Sequence, residues 1–223
     1  MPDDLSFSDR LPPSSRARLD VLGTARLLRA AAALVLEGDI ANRVWLVRDG
    51  LVKVVSTHRD GQEPILGLRG RGELIGELGM LADAPRSATV TALVETSLQE
   101  FGRDEFRSWL RSDRDGSEAL MAHLATRIRE GDAFRVSFAG DDVAVRLARI
   151  LLDLARDHGE PGADGSITIG LPLSQQDLAG LVVASRDAVA KTLQGWRGQG
   201  LVETGRRSLT VIDPGRLERR HLR

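Results

Sequence analysis

The hydrophobic pattern of this chain changes period near Glu105, which calls for one architecture of short strands and another of helices. From about Leu34 to Phe101, short β-rich segments are separated by Glu37-Gly38-Asp39, Arg48-Asp49-Gly50, Arg59-Asp60-Gly61 and Gly70-Arg71-Gly72. Val44 to Val47 and Leu51 to Val55 flank the second of these turns, and Asp-Gly between apolar runs signals a hairpin. Strands this short and this closely spaced predict a sandwich or small barrel. Ahead of them, Arg16 to Ala33 reads as a short helical entry.

Beyond Glu105 the spacing turns helical. Ser117 to Phe138 contains no proline, and Met121, Leu124, Ile128 and Phe138 mark an apolar seam that Gly131 and Arg135 interrupt. The seam predicts one long helix, which either pairs with its copy in a dimer or packs on the barrel. Asp142 is placed to cap a further helix whose apolar face is Val143, Leu147, Ile150, Leu151 and Leu154. That helix stops near His158. Residues 159–165 have loop chemistry, and Ser166 to Ile169 alternate like a short strand.

Near the C-terminus, Ser174-Gln175-Gln176-Asp177 fits a capping box, with Leu178, Leu181 and Val182 on the buried face of a short helix. Ser185 caps the next helix. There Val189, Leu193 and Trp196 form the buried stripe and Asp187, Ala190, Lys191 and Gln194 the opposite face. Two short helices so close together make a helix-turn-helix, and Leu201 to Val211 adds a hairpin with Arg206 and Arg207 at its tip. This winged unit suits duplex DNA. Base edges in the major groove are read from the first turns of a second helix, where Arg186, Asp187 and Lys191 project. Ser174, Ser185, Arg206 and Arg207 are candidate phosphate contacts. Charge agrees: residues 186–223 hold nine Lys and Arg against four acids, a local +5 on a chain whose net charge is −1.

Gly72-Glu73-Leu74-Ile75-Gly76-Glu77-Leu78, followed after six residues by Pro85-Arg86-Ser87-Ala88-Thr89-Val90, is the most specific motif. Gly76 permits close backbone approach, Arg86 offers a planar donor fork, and Ser87 adds a hydroxyl and an N–H. A carboxylate beside a phosphate is repulsive, so Glu77 makes sense if the same ligand carries a hydroxyl. Phosphate plus ribose hydroxyl means a nucleotide.

At these residues the sequence resembles the cyclic-nucleotide-binding domain. With the long helix and winged unit, nearly the whole chain is similar to the Crp–Fnr family of bacterial transcription regulators, on its cyclic AMP receptor protein branch. The resemblance implies an α+β fold of two domains: a cyclic-nucleotide-binding β-barrel over 1–112, a dimerisation helix over 113–140 and a winged helix-turn-helix over 141–223. It implies that Glu77 accepts from the ribose 2′-hydroxyl while Gly76, Arg86, Ser87 and Ala88 hold the cyclic phosphate, with Leu78 completing the motif. The function it implies is a homodimeric transcription regulator gated by a cyclic nucleotide, cyclic AMP first. RNA polymerase is the further partner, and the operator is an inverted repeat with half-sites about 34 Å apart.

Three departures from the family pattern stand out. Asp187 and Lys191 occupy positions where the family commonly has Glu and Arg, and Val183 replaces a glycine often found in the turn. On the long helix, Gly131-Asp132 falls where cyclic AMP-responsive members place a Thr-Ser pair against adenine. Asp132 can accept from an exocyclic amine, and Arg127 lies one turn earlier. The rival readings are a constitutive or other-ligand regulator and a nucleotide-sensing subunit that binds no DNA.

Zero cysteines exclude disulfide scaffolds, thiolate metal sites and cysteine nucleophiles. The four histidines are scattered, with no nucleophile–base or metal-ligand spacing, so neither an enzyme nor a catalytic cofactor is expected. The longest apolar run, Ala30 to Leu36, is too short to span a bilayer, and no secretory pattern is visible, so a cytoplasmic location is expected. His123 reads as a surface or interface residue; Phe7, Trp45, Trp109, Phe138 and Trp196 read as packing groups, with Trp45 able to approach the pocket indirectly.

Overall fold

The computed structural model describes residues 5–57 and 63–222, with the side chains of 137–139 outside the description. The seam position Phe138 and the turn Arg59-Asp60-Gly61 therefore lie outside the described residues. The chain gathers into two units, 1–57 with 66–133, and 58–65 with 134–223.

In the first unit, α1 (Pro13–Asp20) leads into β1 (Thr24–Leu28), so the helical entry ends well short of Ala33. Pro13 opens this helix at a position where a missing N–H costs nothing. The strands that follow are β2 (Ala33–Val35), β3 (Arg43–Asp49), β4 (Val52–Val55), β5 (Ile65–Arg69) and β6 (Leu74–Ile75). After α2 (Glu77–Ala82) come β7 (Thr89–Ala92), β8 (Thr96–Gly102), α3 (Arg103–Ser112) and the long α4 (Arg114–Gly140).

The strands form two antiparallel four-stranded sheets, β1-β8-β3-β6 and β2-β7-β4-β5, packed as a jelly roll without closing into a barrel. Their pairings are long-range: Thr24 faces Glu100, and Val54 faces Val90. The Asp49-Gly50 turn does not make the expected hairpin. β3 pairs with β8 and β6 while β4 pairs with β7, so the turn carries the chain from one sheet to the other. The local turn chemistry is as expected, and the six residue pairs between β3 and β8 decide the partner.

Trp45, Val47, Val52, Val90 and Leu98 fill the space between the sheets. A second cluster joins Phe7, Leu46, Phe101, Phe106 and Trp109 to Leu120 of α4. His123 belongs with this second group. It is buried, 2% exposed, with its ring 6.1 Å from that of Phe7, which corrects its reading as a surface residue. Burial foremost, then the Arg127, Arg69 and Arg10 cations, lower its pKa to about 4. Asp113 starts α4: its carboxylate accepts from Gly116 N–H at 3.0 Å and the Ser15 hydroxyl at 2.9 Å.

In the second unit, Asp142 caps α5 (Val143–His158), accepting from Val145 N–H at 2.8 Å. β9 (Gly159–Pro161) and β10 (Ile167–Ile169) precede α6 (Gln175–Val182) and α7 (Arg186–Gly198). β11 (Val202–Thr204), β12 (Leu209–Val211) and α8 (Pro214–His221) follow. The wing is a sheet of order β11-β12-β10-β9. Residues 159–161, expected as loop, pair with β10 because Gly159 lies opposite Ile169 in register. Leu147, Leu151, Leu178, Val182, Val189, Leu193, Trp196 and Leu217 are buried here. Among the described residues no helix is long and apolar enough to cross a membrane.

Candidate functional site

An open cleft of about 440 Å³ lies in the first unit, walled by β5, β6, α2, the segment before β7, and α4. Gly76, Glu77, Leu78, Arg86, Ser87, Ala88 and Arg127 all line it. Asp132 is exposed on α4 and is not part of this lining.

Gly76 starts the cradle by turning the chain from β6 into α2 with φ +84°, a left-handed conformation that glycine adopts without cost. A Cβ at this position would also collide with the Arg86 guanidinium. Glycine is required twice over. Arg86 is buried, and its two terminal nitrogens donate to the carbonyls of Gly76 at 2.8 Å and Arg43 at 2.6 Å. Its guanidinium lies over Trp45, 5.0 Å from the ring centroid, and its Nε has no hydrogen-bond partner. Burial lowers the Arg86 pKa, opposed by the Glu77 and Asp39 carboxylates. Trp45 is held in turn: its indole N–H donates to Glu100 at 2.8 Å, and Arg26 and Arg43 donate to the same carboxylate.

Glu77 is buried, and its carboxylate accepts from Arg127 at 2.6 Å. A buried carboxylate demands such a partner, because an unpaired charge out of water is costly. Arg127 comes from α4, so the long helix contributes a wall of the cleft. The arrangement offers donors for an anion at one end and a neutralised carboxylate for a hydroxyl beside it. Among the described residues no group of His, Cys, Asp or Glu is placed to hold a metal ion.

Arg69 was not singled out from the sequence, and Trp45 only as able to approach the pocket indirectly. The role of Trp45 as the shelf under Arg86 depends on a contact between residues 41 positions apart. Arg69 also lines the cleft, and its signal was available: in β5 it shares the inward face with Ile65, where period-two alternation puts apolar residues.

The winged unit presents a second candidate surface. Arg186, Asp187 and Lys191 are exposed on α7, away from buried Val189, Leu193 and Trp196. Ser185 accepts from Ala188 N–H at 3.2 Å, and Ser174 shares a full capping box with Asp177, so both hydroxyls start helices. Arg206 and Arg207 are exposed in the turn that Gly205 N–H closes onto the Ser208 carbonyl at 2.9 Å. Val183 ends α6 in the left-handed region at φ +47°, the place where a glycine would be unstrained.

Comparison with known proteins matches residues 25–113 to the cyclic nucleotide-binding domain and residues 145–220 to the Crp-like helix-turn-helix domain. A CRP-like cAMP-activated global transcriptional regulator of Mycobacterium tuberculosis is 32% identical over 184 residues, 82% of each chain. The cyclic AMP receptor protein of Thermus thermophilus is 30% identical over 193 residues, 86% of each. Among solved structures, a c-di-GMP-responsive global regulator of Xanthomonas campestris superposes with a TM-score of 0.80 at 22% identity, over 91% of this chain and all of that one. These relatives are regulators rather than enzymes. With both domains matched in order, on two antiparallel sheets, a long helix and a winged helix-turn-helix, the chain belongs to the Crp–Fnr family of transcription regulators.

Proposed function

We propose that the protein is a homodimeric, cytoplasmic transcription regulator whose binding to an inverted-repeat operator is gated by a cyclic nucleotide in the cleft. Cyclic AMP, which the names of several relatives give as their activator, is the reference ligand. Residues 1–112 serve as the nucleotide-binding domain, 113–140 as the dimerisation helix and 141–223 as the DNA-binding domain.

The observation that carries this reading is the position of Arg127. One side chain on the long helix pairs with the carboxylate at the centre of the cleft, so occupancy of the cleft and the arrangement of α4 share a contact. A ligand hydroxyl on Glu77 alters that pair, and a ligand shifts an equilibrium only through such differential contacts. The phosphate falls to Arg86, Ser87, Ala88 and the backbone at Gly76 and Leu78, and Asp132 faces the ligand from a partner subunit. Met121 and Ile128, 62% and 65% exposed, follow one stripe of α4 with Ala125 and Asp132. A second copy of α4 is the occupant this stripe suits.

On DNA, Arg186, Asp187 and Lys191 read base edges, while Ser174, Ser185, Arg206 and Arg207 fix register on phosphates. RNA polymerase is the further partner. A constitutive regulator is the second reading, favoured by one observation: the terminal nitrogens of Arg86 and the carboxylate of Glu77 already have protein partners.

Mobility-shift titration on an operator selected from random DNA, with and without cyclic nucleotide, tests the choice. Nucleotide-dependent affinity supports gating. Equal affinity with and without nucleotide supports the constitutive reading instead.

A further inference from the structure

Three arginines line the cleft: Arg86, Arg127 and Arg69. The nucleotide reading uses the first for phosphate and the second to neutralise Glu77. Arg69 is left without a task, and it is 9% exposed, in a position where a charge is expensive to bury.

Its surroundings leave part of its donor capacity unused. Nη1 donates to the Leu68 carbonyl at 2.7 Å. The buried Nε has no hydrogen-bond partner, and the Glu73 carboxylate stands 3.9 Å away, close enough for charge but too far for a hydrogen bond. Room for the guanidinium is built in: a Cβ on Gly67 would come within 2.5 Å of Nη1. Arg69 thus lines an open cleft with donor capacity that protein groups leave partly unused, which an acceptor on a ligand can take up.

The order of groups along the wall says which part of the ligand that is. Arg86 donates to Gly76, Glu77 follows Gly76, Arg127 holds Glu77, and Arg69 lines the same cleft with Arg127. In a 3′,5′-cyclic nucleotide the 2′-hydroxyl lies between the cyclic phosphate and the base. With phosphate at Arg86 and ribose at Glu77, the base falls at the Arg127 and Arg69 end. Arg127 and Arg69 are donor-only, while Asp132 of the partner subunit, as read above, accepts from the exocyclic amine that either purine carries and so does not choose between them. Guanine presents two acceptors, O6 and N7, on its outer edge and matches a guanidinium fork; adenine presents one acceptor and an amine, which meets a donor with a donor.

We propose that Arg69 is a specificity-determining residue that reads the base, tilting the cleft toward guanine over adenine cyclic nucleotides. The inference rests on the reading of the cleft as a cyclic-nucleotide site.

Calorimetry of the full-length, nucleotide-stripped protein with cyclic GMP and cyclic AMP tests it, alongside Arg69→Leu. The wild-type protein binds cyclic GMP more tightly, and the ratio of the two affinities moves toward cyclic AMP by about fivefold or more in the variant. Arg69→Lys keeps the charge beside Glu73 but not the fork, and loses the same preference. It also serves if the leucine variant does not fold, as judged by thermal unfolding. Both nucleotides bound with a ratio that moves less than about fivefold overturns the role of Arg69 and leaves the nucleotide site standing. Heat from neither nucleotide overturns both.

Discussion

The guanidinium of Arg86 rests on the face of Trp45, 5.0 Å from the ring centroid, and the far side of that indole is tethered to Glu100 by a 2.8 Å hydrogen bond. Ligand-facing charge is thus positioned from within the space between the sheets. Trp45→Leu removes the shelf and is expected to weaken cyclic-nucleotide binding by about two- to thirtyfold, the worth of a cation–π contact. Trp45→Phe keeps a ring but drops the tether, and its affinity should fall in between. Calorimetric affinities equal to wild type in both variants would show that the carbonyls of Gly76 and Arg43 alone fix Arg86.

Arg86→Ala goes further, removing the donor fork itself. Nucleotide affinity is expected to fall by at least about tenfold, as for loss of a charge-assisted bidentate contact, while the sedimentation coefficient stays that of wild type. Undiminished affinity places the phosphate elsewhere.

His123 sets a pH dependence. Its pKa is about 4 in the fold against 6.5 for an ordinary histidine, so between those values the unfolded chain binds more protons than the native one. Stability contributed by neutral His123 is therefore complete above about pH 6.5 and is lost as pH falls toward 4. Arg127, Arg69 and Arg10 add to this by repelling the imidazolium, whereas Glu73, whose pKa is raised chiefly by burial, offsets part of it by taking up a proton in the fold. Thermal melts of wild type and His123→Gln from pH 7.5 to 4.5 check this. The variant loses less of its Tm on acidification, and parallel curves would assign the acid sensitivity to other groups.

Gly131 sits inside α4 with open space around the position of a Cβ. Gly131→Ala should stabilise the protein by about 1 kcal/mol, a gain of helix propensity at no steric cost. A rise in Tm of a few degrees is the expected result. An unchanged Tm means that this turn of the helix frays in solution.

Lys191→Ala separates base reading from phosphate contact on α7. Affinity for the selected operator should drop by about 1–3 kcal/mol, with a smaller loss on random DNA. Equal losses on both reduce Lys191 to a backbone contact.

Legibility followed the distance over which the determining contact acts. That Gly76, Glu77 and Arg86 gather at one cleft was readable because they lie within residues 72–90 and each has local chemistry: Gly76 turns, Arg86 donates, Glu77 accepts. The caps at Asp142, Ser174 and Ser185 act within three residues and were readable for the same reason. The sheet switch at Gly50 was not, since a two-residue turn carries no record of which strand pairs across 50 residues. His123 was misplaced because helical spacing gives a face but not the body it packs on, here Phe7 from the N-terminal segment. Arg69 was overlooked because a charge in a strand reads as solvent-facing until alternation is counted against it.

The pairing of Thr24 with Glu100 also shapes how the protein is made. β1 leaves the ribosome roughly 70 residues ahead of the strand that satisfies it, and β2 likewise waits for β7. The sheet β1-β8-β3-β6 cannot be completed until residue 102 has been synthesised, nor β2-β7-β4-β5 until residue 92, so their early strands spend that time with open edges. Such non-local pairing folds slowly and exposes those edges to other nascent chains. Lower expression, which brings fewer such open-edged chains together, therefore favours recovery of folded protein, and the C-terminal unit waits less, its widest strand pairing joining Ile167 to Val211.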